Sequence, residues 1–256
     1  MWEKDDLKQL YEAIFHRKSV RSFAAEPLEQ EMLDKIMQLT TGLALPLPGA
    51  PFAFRLLSSS QIKGNMAKKA HHFLALYTGK EEESIINAAF MMQQMDLWLS
   101  AHGIGSCWMG MPKPTAEASR AEGLDFLILL VLGLPTEPLH REHMEEFQRK
   151  ALTDITDTGG LEQLLTPLRL APSAINRQPW YITGDKDKLH LHIKQNNLIT
   201  KAVLGHMPLV DMGIALCHLW LAAMEAGRFS SLEREAEVSS PPGYRYVWTM
   251  RLDAIG

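Results

Sequence analysis

The sequence predicts an α+β fold built from two tandem halves, and three observations carry the prediction. Stretches with apolar residues at helical spacing alternate with short apolar runs of strand length from end to end. The second half repeats the order of elements found in the first. Landmarks also recur in the same order: Leu97-Trp98-Leu99-Ser100-Ala101 lies over Leu219-Trp220-Leu221-Ala222-Ala223, Leu33-Asp34-Lys35-Ile36 over Leu161-Glu162-Gln163-Leu164, and Pro51-Phe52 over Pro179-Trp180. Such halves imitate a dimer with its pseudo-two-fold axis inside one chain. Chance likeness between apolar helices is the competing reading. The halves are drawn as 1–147 and 148–256, interlocked as one globular unit.

Taken in order, Leu7, Leu10, Tyr11, Ile14 and Phe15 stand three or four apart and predict a helix over 6–17. It runs into a basic, hydroxyl-bearing turn, His16-Arg17-Lys18-Ser19-Val20-Arg21-Ser22-Phe23. A second helix over 28–41 turns Leu28, Met32, Leu33, Ile36 and Leu39 inward. A Pro/Gly-rich loop over 42–51 leads to a strand at 52–57, a helix-like stretch at 60–70 and a strand at 73–78. Ser84 is the expected cap of a long apolar helix over 85–102 that Gly103 and Gly105 end. Ser106-Cys107-Trp108-Met109-Gly110-Met111 follows, then a charged segment, a strand at 126–132 and a charged connector at 135–146. In the second half, a basic turn at 148–155 precedes a helix at 161–169, a polar loop, and strands at 180–183 and 189–193. Pro208 opens an apolar helix over 208–226 that Gly227 caps, and 244–252 is the last strand.

Composition narrows the function. A hydrophobic fraction of 46% and a charged fraction of 22% belong to a globular chain with a substantial core. A net charge of -4 supplies no general attraction to nucleic acid or an anionic membrane. The start of the chain is charged and lacks the apolar core of a signal peptide, and the longest apolar run, Phe126 to Leu134, is of strand size. Cys107 and Cys217 form no disulfide framework, so a reducing cytoplasm is expected, with Cys107 packed rather than nucleophilic. The histidines lack partners at metal-ligand spacings, and no metal is expected.

The stretch that gathers chemistry is Ala171-Pro172-Ser173-Ala174-Ile175-Asn176-Arg177-Gln178-Pro179-Trp180. Its prolines make it a loop, and the planar amides of Asn176 and Gln178 suit the edge of a ring that bears amide-like groups. The other candidate is the first basic turn, where Arg17, Ser19 and Arg21 alternate and an extended backbone turns all three one way, as a phosphate cradle requires; a solvated basic helix end is the competing reading. The copies differ at these two places. Opposite Asn176 and Gln178 the first half has Pro48 and Ala50; opposite Ser19 and Arg21 the second half has Ala151 and Thr153. If a site joins the basic turn of one half to the polar loop of the other, one of two pseudo-equivalent sites survives.

These residues together resemble the FMN-dependent nitroreductase family. The family's Arg-Arg/His-Ser-x-Arg/Lys-x-Phe opening is matched by Arg17–Phe23, its Ala-Pro-Ser-x-x-Asn-x-Gln-Pro-Trp loop by Ala171–Trp180, and its Gly-x-Gly-Ser-Cys-Trp-x-Gly element by Gly103–Gly110. The order is unusual, because the loop ordinarily follows soon after the first motif and here Thr41–Pro51 stands in that place. That order resembles the branch of nitroreductases in which one polypeptide imitates the usual intertwined homodimer. The resemblance implies a sandwich of mainly antiparallel sheets flanked by helices. It implies FMN held by Arg17, Lys18, Ser19 and Arg21 at the phosphate, with Arg149 and Lys150 completing that end. Pro172, Ser173, Ala174 and Asn176 would line the ring, Gln178 would support the loop, and Met109 and Gly110 would bring backbone near the reactive edge. No catalytic side chain is implied, since the flavin carries the chemistry. NAD(P)H and a small aromatic acceptor, nitroaromatic or quinone-like, are the implied partners. A monomer would form the complete site, with further self-association open. The connectors 111–125 and 134–147 do not show the usual lid, which leaves a flavin-binding, sensing or decayed member as the alternative.

Overall fold

The computed structural model describes residues 2–64, 70–197 and 204–253. Its contacts gather into two units, Met1–Glu146 and Phe147–Gly256.

In the first unit, α1 (Lys4–Ile14) buries Leu10, Ala13 and Ile14. It stops three residues short of the predicted end because 17–24 leave the helix as an extended segment. Val20 N donates to Ser106 O at 2.9 Å and Ala24 N to Leu134 O at 2.8 Å. The second helix, α2 (Gln30–Leu39), buries Leu33 and Ile36. The strands are β1 (Phe52–Ser58), β2 (Ile62–Lys63), β3 (His72–Thr78), β4 (Gly105–Met109), β5 (Lys113–Pro114), β6 (Arg120–Ala121) and β7 (Leu124–Gly133). They form an antiparallel sheet in the order β1-β3-β7-β4, with β6 also on β7 and β2 paired to β5. The helix predicted over 60–70 is absent at its start, where Ser59–Gln61 makes one 3-10 turn before β2, and 65–69 lie outside the described residues.

The long helix of this unit, α3 (Glu82–Ala101), is buried without a break from Ser84 to Ser100. A helix with no exposed stripe has no amphipathic signature and reads as a plain apolar run. Its cap is Glu81, not Ser84: Ser84 lies within the first turn, and its carbonyl accepts from Thr78 Oγ1 at 3.2 Å.

In the second unit, α4 (Glu162–Arg169) is followed by the polar loop and by β8 (Trp180–Gly184) and β9 (Lys188–Lys194). Then come α5 (Met207–Glu225), β10 (Phe229–Glu233) and β11 (Tyr244–Leu252), and the antiparallel sheet runs β10-β11-β9-β8. β10 has no counterpart in the sequence reading. On β9, Leu189, Leu191 and Ile193 alternate with His190 and His192, so the aliphatic residues share one face and the two histidines the other. By length and composition α5 is a helix able to cross a bilayer, which a search for unbroken apolar runs misses because Asp211 and His218 interrupt it. It is 89% buried inside the protein over that stretch, as a core helix is. Both units thus combine helices with antiparallel sheet, the α+β class read from the sequence.

Candidate functional site

The first candidate element is the turn after α1. Arg17 is buried and faces inward, its Nε 3.0 Å from Asp96 Oδ2 on α3. The contact is ionic rather than a directed hydrogen bond. Asp96 Oδ1 accepts from Ser106 Oγ at 2.5 Å, and Arg17 Nη2 reaches Ser19 Oγ at 3.3 Å. Arg141 donates to the carbonyl of Arg17. The guanidinium that the sequence aligns with a phosphate cradle therefore ties the turn to α3 and β4. Lys18 and Ser19 are half-buried and Arg21 is exposed.

An acceptor already sits on the backbone of this turn. Glu137 Oε1 receives the N–H groups of Arg21 at 2.6 Å and Ser22 at 3.1 Å, while Lys18 Nζ stands 3.8 Å from Oε2. The Arg21 amide, followed by that of Ser22 and the nearby cations, holds the Glu137 carboxyl below its ordinary range. Two consecutive amides that converge on one oxygen make an anion-receptive concavity.

On the same unit, Met109 closes β4 opposite Leu129, and Gly110 follows it, both half-buried. Trp108 Nε1 is fixed by Gln93 Oε1 of α3 at 3.1 Å. Cys107 is buried, and that burial pushes its thiol up, against the pull of Arg21 and Arg17. A packed thiol is no nucleophile.

The second element is the loop of the other unit, and its backbone is strained. Ile175, Asn176 and Gln178 have φ of 46°, 57° and 49°, left-handed values that side-chain-bearing residues avoid, β-branched ones above all. Side chains hold it there. Asn176 Oδ1 accepts from Arg149 Nη1 at 2.6 Å, and Asn176 Nδ2 donates to Gln148 O at 2.9 Å. Gln178 Oε1 accepts from Lys150 N at 2.8 Å, Gln178 Nε2 donates to Asn176 O at 3.0 Å, and Gln178 N donates to Ser173 Oγ at 2.9 Å. The amides that the sequence aligns with a ligand edge are thus engaged in shaping the loop.

Arg149 and Lys150 belong to the same scaffold. Arg149 also donates to Phe147 O at 2.9 Å, and Lys150 Nζ donates to Gln178 O at 2.9 Å. Burial, then Lys194, lowers the Lys150 ammonium. Pro172 is buried, Ser173 and Ala174 are half-buried, and Ile175 stands at the tip, 82% exposed.

Three residues escape the sequence reading. Asp96 and Asp211 are single acids within largely apolar buried stretches of helix, where an unpaired carboxylate is costly; that cost is the signal that could have singled them out. Asp211 Oδ1 accepts the Ala174 amide at 2.8 Å. Glu137 sits in a charged connector and carries no such signal. Among the described residues no group of three or more His, Cys, Asp or Glu is placed to hold a metal.

A family model described as "Putative TM nitroreductase" matches residues 9–223. A solved structure of a nitroreductase-family protein from Thermotoga maritima is similar over 96% of this chain and 94% of its own, at 23% identity and a TM-score of 0.65. A nitroreductase-type protein in complex with FMN from Desulfovibrio desulfuricans is 18% identical over 56% of this chain and 96% of its own, with a TM-score of 0.43. A nitroreductase family protein from Clostridium difficile is 15% identical over 60% of this chain and 96% of its own, with a TM-score of 0.45. No curated protein matches the chain.

Proposed function

From a chain that belongs to the family "Putative TM nitroreductase", and is thereby a nitroreductase-type oxidoreductase, we propose an FMN enzyme that moves two electrons from NAD(P)H to a nitroaromatic or quinone-like acceptor. The observation that supports this most is the pair of amides, Arg21 N and Ser22 N, converging on a carboxylate oxygen beside Lys18. A turn that accommodates one anionic oxygen has the donor set for a phosphate.

FMN, when bound, supplies the electron transfer itself. In our assignment Lys18, Ser19 and Arg21 hold its phosphate, and Arg17 anchors the turn that presents them. Pro172, Ser173, Ala174 and Asn176 carry the ring, with Gln178, Arg149 and Lys150 fixing the loop's shape. Met109 and Gly110 offer backbone at the end of β4. The phosphate and ring assignments each rest on their own unit.

The test is the visible spectrum of the protein after incubation with FMN and desalting, followed by NADH or NADPH under anaerobic conditions. Retained absorbance near ~450 nm at about one flavin per chain, bleached by the nicotinamide and restored by an acceptor, is the expected result. A colourless protein overturns the reading. A flavin that stays oxidised reduces the protein to a flavin binder.

A further inference from the structure

Asp211 lies one turn into α5, 3% exposed, in a helix that from Pro208 to Ala223 is otherwise apolar and small apart from His218. Its Oδ1 accepts the backbone N–H of Ala174 at 2.8 Å. That amide belongs to the residue immediately before Ile175 and Asn176, with their left-handed φ of 46° and 57°. A chain made to enter that region needs its entry fixed from outside, because relaxation to the ordinary right-handed or extended regions is downhill. The other bonds described above hold the exit, at Asn176 and Gln178. At the entry Asp211 holds the Ala174 amide itself, while the Ser173 hydroxyl reaches across to the Gln178 amide.

We propose that Asp211 is a positioning residue for the ring loop: from within α5 it grips the Ala174 amide and so sets the strained Ile175–Gln178 backbone in the shape that meets the flavin. The proposal rests on the FMN reading above for its ligand, but the grip itself is a property of the chain alone.

Burial lifts the Asp211 carboxyl to about 7, against the smaller opposing pulls of the Ala174 amide and Arg177. Arg177 is the charge that acts on it from the loop. On α4, Arg169 donates to Lys150 O, and further along α5 His218 is bonded to Pro167 O. His190 and His192 stand on the far face of β9 from Leu189 and Leu191. The ionised carboxylate accepts the amide more strongly than the neutral acid does, so the grip tightens as pH rises through neutrality.

The test uses the full chain with two variants that keep the branch at Cγ. Asp211→Asn keeps an acceptor oxygen and cannot titrate; Asp211→Leu has no acceptor. In flavin-free protein, the NMR signal of the Ala174 amide should titrate with a midpoint near neutrality in the wild type and stay flat in Asp211→Asn. Ala174 amide exchange should accelerate at least ~10-fold in Asp211→Leu and stay within about threefold of wild type in Asp211→Asn. FMN affinity should weaken about tenfold or more in Asp211→Leu and lose its change near neutral pH in Asp211→Asn. Wild-type Ala174 exchange in Asp211→Leu, or a titration that persists in Asp211→Asn, overturns the proposal. If Asp211→Leu does not fold, the Asp211→Asn titration decides. A wild type that retains no FMN removes the FMN reading, and the Ala174 measurements still decide for or against Asp211.

Discussion

Arg17 Nε and Asp96 Oδ2 lie 3.0 Å apart with both side chains shut away from solvent. Removing one partner leaves the other charged, buried and uncompensated, which costs about 3–5 kcal/mol. Asp96→Ala is therefore expected to lower unfolding stability by about that amount, measured by urea denaturation. The double variant Arg17→Met/Asp96→Leu should lose less than Asp96→Ala alone, because no orphan charge remains. A double variant as damaged as the single one would show that the pair matters for shape rather than charge.

Gly105 is held by Val20. A Cβ at Gly105 would come 2.8 Å from Val20 Cγ1 and 3.3 Å from Pro135 Cβ, with Val20 fully buried and stiff at its branch. Gly105→Ala should push the basic turn off β4, costing about 1–3 kcal/mol and weakening FMN retention. Gly103→Ala meets nothing within 4 Å and bears only the strain of its φ of +78°, about 1–2 kcal/mol. Thermal unfolding and flavin titration of the two variants separate a clash from a dihedral cost: Gly105→Ala should move both readings, Gly103→Ala only the first.

His192 is expected to make the protein sensitive to acid. It is fully buried between Thr183 Oγ1 at 2.8 Å and Ser240 Oγ at 3.2 Å, and burial, with His190 nearby, lowers it to about 4. An unfolded histidine binds its proton near ~6.5, so between about 6.5 and 4 the unfolded chain holds a proton the folded one refuses. Stability should fall as pH drops through that window, by up to about 3 kcal/mol from this group. His192→Gln, unfolded in urea at neutral pH and near pH ~4.5, should lose that part of the slope. An unchanged slope would place the acid sensitivity elsewhere.

Arg21 and Arg55 form a matched pair of surface tests. Arg21 is exposed beside the amides that grip Glu137, whereas Arg55 is tied to Arg120 O at 3.2 Å on β1. Arg21→Ala should weaken FMN by about 1.5–3 kcal/mol, the worth of a hydrogen bond to a charged group, and Arg55→Ala by little. Equal affinities by isothermal titration would take Arg21 out of the proposed phosphate site.

Much of the fold was legible because strands and amphipathic helices write their periods into the chain. β11 was read at its full length of Tyr244–Leu252, and α4 within one residue. β10 was missed because Phe229-Ser230-Ser231-Leu232-Glu233 is polar, as an edge strand is apt to be, and becomes a strand only by pairing with β11. The α3 cap was misplaced because the backbone turned helical at Glu82, two residues before the serine that looks like a cap. The candidate residues were legible as types, but their contacts were not. No spacing tells that Arg17 points inward to Asp96, far along the chain, or that Glu137 covers the amides of Arg21 and Ser22. Those pairings are made by the tertiary fold.

The bonds of the Ser173–Gln178 loop bear on how variation there should be interpreted. Asn176 and Gln178 point their amides back into Gln148, Arg149, Lys150 and the loop's own backbone. What faces outward is a tensioned main chain with Ile175 at its apex. The polar letters of this motif are grammar rather than vocabulary. Replacing them is expected to alter whether the loop can be spoken at all, rather than what it says.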